Sequence, residues 1–315
     1  MNPALSVVIF TTLAGTAQGL VLALFATEWS SGRHWLSSSP EAGFYVLGAT
    51  VAALLGAGGL VSSFFHLGRP ERAWRAATMW RTSWLSREVI ALPAFIALTA
   101  AYALAHALQS DWGFIAGALA ALAAVGLFVC TGMVYACMPF LREWATPLTP
   151  INFALLGSAS GFTLAAALAA DGAPGVQRFL LIGALVFTLL GLIGRLAAWQ
   201  RNANLAPKST LQTAIGIKHS RIRQIAQGFM GGSFNTREFF HGRSPSTLSA
   251  LRAITLVAGF AVPALALAAD LALPQILPFA LAVAVLVQHL GLLAERWLFF
   301  AEARHPQNLY YQRMA

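Results

Sequence analysis

Eight long apolar stretches constrain this chain more than any other feature of its sequence. They occupy residues 5–27, 43–65, 88–108, 112–138, 150–170, 176–199, 251–269 and 274–300. Each is close to the roughly 20 residues that a helix needs to cross a bilayer, and a helix satisfies its own backbone hydrogen bonds in lipid. Barrel strands would alternate apolar and polar residues, which these stretches do not. We therefore predict an all-α integral membrane protein, a bundle of eight transmembrane helices.

Composition excludes a water-soluble fold. Hydrophobic residues make up 58% of the 315 residues and charged residues only 10%, whereas ordinary domains carry about 25% charged residues. The net charge of +9 does not indicate nucleic-acid binding, because the basic residues lie mainly between the apolar stretches rather than on one polar domain. We treat residues 1–315 as a single transmembrane domain.

The distribution of Lys and Arg predicts how the chain is oriented. Of the 20 such residues, all but Arg33 and Arg178 fall on the side that holds both termini. By the positive-inside rule, both termini and the basic loops are expected in the cytoplasm.

Glycine pairs at four-residue spacing predict close helix crossings, as in Gly15 with Gly19 and Gly157 with Gly161. No internal repeat is evident from the pattern. Glu295 and Arg296, near the end of the last stretch, are predicted to form a helix-end ion pair that faces other protein.

The segment 66–87 is a basic cytoplasmic connector between the second and third stretches. Its arginines 69, 72 and 75 recur every three residues, so they share one face if this segment is helical. Composition alone favours an interfacial connector whose arginines bind lipid phosphate.

His66 and Glu88 flank this connector at the ends of two predicted helices, at the same membrane face. An imidazole can form a hydrogen bond with a quinone carbonyl, and a carboxylate near hydrocarbon can exchange a proton during redox chemistry. Taken singly, His66 is an ordinary interfacial histidine. Glu88 is an acid in the first helical turn, favoured by the helix dipole, with Ser86 as cap. Together, beside an arginine-rich loop, they indicate a quinone site.

The one long polar segment, 200–250, is a cytoplasmic loop and a candidate docking surface. Loops of this length are usually functional or disordered. Its aromatic and basic residues could anchor a partner, or the segment could be a glycine-rich linker resting on lipid headgroups. The predicted docking residues are Phe229, Phe234, Arg237, Phe239 and Phe240.

The sequence predicts no haem or metal in this chain. Cys130 and Cys137 are seven residues apart in one predicted helix, about 10 Å along its axis, which is too far for a disulfide. Haem would need two histidines at one depth on facing helices. His106 and His66 are expected near opposite membrane faces, and His289 has no clear partner histidine for haem ligation.

Several motifs resemble those of a known family. FHLGRPERAW (65–74) precedes SWLSREV (83–89), with TPLTPINF (146–153) and FNTREFF (234–240) as further matches. Within eight apolar stretches, these resemble the membrane anchor subunits of the dimethyl sulfoxide reductase family of molybdenum enzymes, over most of the chain. The long 200–250 loop with its FMGGSFNTREFF run looks more like the sulfite dehydrogenase branch.

The resemblance implies a quinone-binding anchor, for ubiquinone or menaquinone, in a three-subunit complex of the bacterial inner membrane. Its partners would be a molybdopterin catalytic subunit and an iron–sulfur electron-transfer subunit, which hold the molybdopterin and the clusters. The family's quinol-site histidine and glutamate fall on His66 and Glu88, and we expect Arg69 or Arg72 to orient a carbonyl. The soluble partners are expected on the cytoplasmic face, because electrons must tunnel to the quinone there. Sulfite dehydrogenases reduce quinone, whereas dimethyl sulfoxide reductases oxidise quinol.

Two alternatives stay open at this point. A secondary transporter would bind substrate near the midplane at broken helices, for which Gly56, Gly58, Gly59 and Pro263 are the candidate break points. A structural anchor without a quinone site would need neither His66 nor Glu88.

Overall fold

A computed structural model describes residues 1–36, 38–207, 209–223, 225, 238–273 and 279–309. Within these residues, eight helices are long and apolar enough to cross a membrane, which confirms the predicted all-α fold. They are α1 (Leu5–Gly32), α2 (Ala42–Phe64), α3 (Trp84–Ala107), α4 (Gly113–Ala136), α5 (Leu148–Gly172), α6 (Pro174–Ala203), α7 (Pro245–Ala272) and α8 (Ala280–Ala301).

Two helices begin earlier than the apolar stretches predict, and both start at a serine cap. The side chains of Ser83 and Ser244 accept hydrogen bonds from backbone N–H groups at the starts of α3 and α7. Hydropathy alone does not locate these starts, because the first turns of both helices contain polar residues. The long loop therefore ends at residue 244, not at 250.

The centre of the bundle is the crossing of α1 and α5, the most buried of the membrane helices. Glycines on both helices let the backbones touch. A Cβ atom on Gly19 would overlap the carbonyl of Gly157, and one on Gly161 would overlap the backbone of Gly19. The predicted close crossings thus occur, and the two glycine pairs face each other.

The two halves of the chain repeat one arrangement. In the first half α2 packs on α1 and α3, and α4 packs on α3 and α1; α6 and α8 pack in the same way on α5 and α7. The pattern G-A-x-V-x-x-L-L-G-x-x-G at 48–59 in α2 recurs at 183–194 in α6. The repeat was not evident from the sequence pattern, because the similarity is visible only once equivalent helices are paired.

The predicted helix breaks differ in outcome. Helix α2 is continuous through Gly56, Gly58 and Gly59. Helix α7 contains a π-helical segment, Val257–Ala261, just before Pro263. A proline removes a backbone donor and crowds the preceding turn, so a local change in helix type accommodates it without ending the helix.

The N-terminus packs against the end of α8 at one end of the bundle. The Met1 ammonium donates to the carbonyls of Ala301 and Ala303, at 2.8 and 2.9 Å, where the last carbonyls of α8 lack helical partners. The backbone N–H of Asn2 donates to the carbonyl of Glu238 at 2.7 Å. The end of the long loop is therefore held against the N-terminus, beside the end of α8.

Candidate functional site

The connector between α2 and α3 is fastened to the start of α3. Helix α2 ends at Phe64, and Pro70–Met79 form a 3-10 helix. The Arg87 guanidinium donates to the carbonyls of Trp80 and Arg81, at 3.0 and 2.9 Å. This fixes the connector relative to the first turns of α3.

Glu88 is the buried acid of this region. It is only 7% exposed, and the hydroxyl of Thr131 on α4 donates to its Oε1 at 2.5 Å. Ser83, not Ser86, caps α3, and the first turn holds no acid, so the interpretation of Glu88 as a first-turn acid capped by Ser86 is wrong. The helix dipole, which fades within one turn, therefore does not explain it. A carboxylate buried among apolar groups is costly, which marks this one as a functional candidate.

His66 lies just beyond the end of α2 and is exposed in part. Partial burial of its ring lowers the pKa of His66 from the ordinary value of 6.5, so the imidazole is neutral at pH 7 and can both donate and accept a hydrogen bond. The connector returns His66 and Glu88 to the same end of the bundle. Within the part of the chain that the structure describes, no hydrogen bond or ion pair joins them.

Arg69 and Arg72 are exposed, and each has a nitrogen 3.9 Å from the Glu71 carboxylate. Exposed pairs of this kind contribute at most about 1 kcal/mol, so both guanidiniums can exchange this partner for another anion or carbonyl. Residues three apart eclipse in a 3-10 helix, which places Arg72 and Arg75 on one face as predicted. Arg69, the third arginine of that prediction, precedes the 3-10 helix and is not part of it.

The predicted docking residues divide into two groups. Phe229, Phe234 and Arg237 lie outside the described residues. Phe239 is buried and stacks on His305 with ring centroids 4.1 Å apart, while Phe240 is half-buried. A docking role for Phe239 would have to break this internal stack.

Sequence analysis missed a buried ionic cluster where α5, α6 and α8 meet. The predicted pair of Glu295 and Arg296 is present at 2.5 Å, and Arg195 of α6 reaches the same carboxylate at 3.2 Å. Their side chains are at most 5% exposed. Arg195 also contacts Glu302 at 3.2 Å, and Arg252 of α7 contacts Glu302 at 3.1 Å. The only sequence signal was an arginine inside an apolar stretch.

A second polar cluster lies at the opposite end of the bundle. The Tyr102 hydroxyl donates to Glu28 at 2.8 Å, and His106 Nε2 lies 3.2 Å from the same carboxylate. The Tyr45 ring stacks on His106 with centroids 4.5 Å apart. These contacts tie α1, α2 and α3 together.

His289 is held within the protein. One ring nitrogen lies 3.0 Å from the Thr16 hydroxyl and the other 2.8 Å from the carbonyl of Val285. Both nitrogens therefore have partners in the chain, which gives this histidine a structural explanation. Among the described residues, no three His, Cys, Asp or Glu side chains form a group that could hold a metal ion.

Eight membrane helices with a buried acid at one end define a multi-pass membrane protein with an ionisable site near its surface. Residues 1–301 match the family model described as DMSO reductase anchor subunit (DmsC), and the chain belongs to this family. It is 52% identical to the C subunit of the sulfite dehydrogenase of Allochromatium vinosum, with 100% of both chains covered. The resemblance predicted from the motifs is thereby confirmed. Family membership implies catalytic and electron-transfer partners, and it leaves the transporter alternative without support.

Proposed function

We propose that this chain is the quinone-reactive anchor of a sulfite dehydrogenase-type molybdenum oxidoreductase, which passes electrons between the quinone pool and an iron–sulfur subunit. The observation that carries the proposal is the buried carboxylate of Glu88. A carboxylate in apolar membrane surroundings is energetically costly and usually marks a functional site. Thr131 is its one hydrogen-bond donor among the described residues, and it binds a single oxygen, Oε1.

The residues at this end of the bundle fit a quinone headgroup. A quinone, when bound, supplies two-electron, two-proton redox chemistry. His66 donates a hydrogen bond to a carbonyl through its neutral imidazole, and the other carboxylate oxygen of Glu88, Oε2, takes up or releases a proton. Thr131 orients the carboxylate, and the exposed guanidinium of Arg69 or Arg72 positions the second carbonyl.

The partners follow from the family. We infer a molybdopterin catalytic subunit, which performs the sulfur chemistry, and an iron–sulfur subunit that docks on the face holding Glu88. The loop-charge distribution supports a cytoplasmic position for that face, in a bacterial inner membrane. The extensive identity with the C subunit of a sulfite dehydrogenase favours sulfite oxidation with quinone reduction over quinol oxidation.

Glu88→Gln in the intact complex tests the proposal. We expect quinone-coupled activity to fall by at least about 10²-fold, because general acid–base groups typically contribute that much. Activity with an artificial dye that takes electrons from the soluble subunits should persist. Glu41→Gln, at an exposed carboxylate preceding α2, is the matched control and should leave both activities unchanged.

Thr131 gives a second test of the same carboxylate. Thr131→Val removes the hydroxyl and should lower quinone-coupled activity, whereas Thr131→Ser keeps the donor and should restore most of it.

If Glu88→Gln and His66→Gln both retain full quinone-coupled activity with unchanged affinity, the chain is a structural anchor and the proposed site is wrong.

A further inference from the structure

A cavity of about 820 Å³ lies where α6, α7 and α8 end or begin. Because the two halves of the chain repeat one arrangement, it occupies in the second half the place that the Glu88 region occupies in the first. Its lining includes Ile193, Leu196, Trp199, Arg252 and Glu302. It is therefore separate from the candidate quinone site.

One side of this cavity is apolar and open to lipid. Ile193 and Leu196 lie on the outward face of α6, 62% and 44% exposed, within an apolar membrane helix. Trp199 lies one turn further on, where α6 reaches the membrane surface, and tryptophan is enriched at that depth. An occupant of this cavity must therefore be amphipathic, with its apolar part along α6.

The other side carries both signs of charge. Arg252 and Arg304 are exposed and line the cavity. Glu302 is already neutralised, since its carboxylate contacts Arg195, Arg252 and the Trp199 indole N–H.

Glu143 differs from Glu302. It lines the same cavity, half-buried, and forms no ion pair or hydrogen bond with the residues that the structure describes. The Met1 ammonium interacts with Glu143 electrostatically, but it donates its hydrogen bonds to the carbonyls of Ala301 and Ala303. The cavity thus presents the guanidinium of Arg252, which is paired with Glu302, together with the guanidinium of Arg304 and the carboxylate of Glu143, neither of which forms an ion pair with the described residues.

We propose that this cavity binds a phospholipid with an amine in its headgroup, of the phosphatidylethanolamine type. Arg304 and Arg252 bind the phosphate, as basic pockets between membrane helices do. Glu143 binds the ammonium group, and an acyl chain lies along Ile193 and Leu196. A lipid with a single negative charge would leave the carboxylate of Glu143 without a direct partner. The proposal is independent of the quinone site.

The test is lipid analysis of the complete complex after mild purification from membranes containing both phosphatidylethanolamine and phosphatidylglycerol. We expect retained phosphatidylethanolamine in the parent. Arg304→Gln should lower its retention about fivefold, given roughly 1 kcal/mol per basic residue near a headgroup. Glu143→Gln should keep a lipid bound but shift the preference to phosphatidylglycerol. Arg221→Gln, at an exposed loop arginine, is the control and should change neither the amount of lipid retained nor the lipid preference.

Three results would overturn the proposal. They are equal retention of phosphatidylethanolamine by the parent and all variants, preferential retention of phosphatidylglycerol by the parent, or a quinone bound in the cavity in place of a phospholipid. If a variant fails to assemble, the parent complex in nanodiscs decides instead. Added phosphatidylethanolamine should then raise its melting temperature more than equal amounts of phosphatidylglycerol or phosphatidylcholine. Quinone-coupled activity of Glu88→Gln bears only on the other site, so the two proposals fail separately.

Discussion

Glu295→Gln is the substitution whose effect the structure defines best. Glu295 is fully buried and contacts both Arg195 and Arg296. Arg195 keeps Glu302 as a partner after the change, but Arg296 loses the one carboxylate it contacts among the described residues. A buried charge left without its partner typically costs about 3–5 kcal/mol. We expect the free energy of unfolding to fall by that amount.

The assay is unfolding of the solubilised complex in increasing SDS, followed by a signal from this chain. Arg252→Gln is the matched control, because it breaks an ion pair whose arginine side chain is 52% exposed, and such pairs contribute about 0.2–1 kcal/mol. The double change Glu295→Gln with Arg296→Met removes the orphaned charge as well, and should recover most of the lost stability.

The reasoning is refuted if Glu295→Gln destabilises no more than Arg252→Gln does. It is also refuted if the double change is as unstable as Glu295→Gln alone. In that case packing around Glu295, rather than the unpaired charge, would account for the loss.

Three further outcomes are expected. Gly161→Leu should prevent assembly of the α1–α5 crossing, whereas Gly126→Ala, where an added Cβ meets nothing within 4 Å, should behave as the parent by size-exclusion chromatography. Tyr102→Phe removes a hydrogen bond to Glu28 and should lower the SDS-unfolding free energy by about 1.5–3 kcal/mol; no change would contradict a structural role for that cluster. The lowered pKa of His66 means that the folded state binds fewer protons than the unfolded state just below pH 6.5. The part of the free energy of unfolding that is linked to His66 is therefore present above pH 6.5 and is lost as the pH falls through the pKa of His66 in the folded state. An NMR titration of the His66 ring with a midpoint at or above pH 6.5 would contradict this.

The candidate site was only partly accessible from sequence. His66 and Glu88 stand out because they are ionisable residues at the ends of apolar stretches. The hydroxyl that holds Glu88 belongs to Thr131, 43 residues away, in a stretch where a lone threonine carries no signal. Ser83 and Ser244 were missed as caps because hydropathy places a helix start at the first apolar residue rather than at the first hydrogen-bonded turn.

The class of fold follows from the sequence alone, because the length of an apolar stretch relative to the bilayer thickness is a local property. The sequence also indicated that α1 and α5 each take part in a close helix crossing, since small residues at four-residue spacing lie on one helix face, although not that they cross each other. Which polar groups meet depends, in contrast, on how the helices pack. Arg195 and Glu295 come together, and the cavity beside α6 forms, through the rotation and pairing of helices far apart in the chain. Those depend on the packing of all eight helices together, which no single stretch specifies.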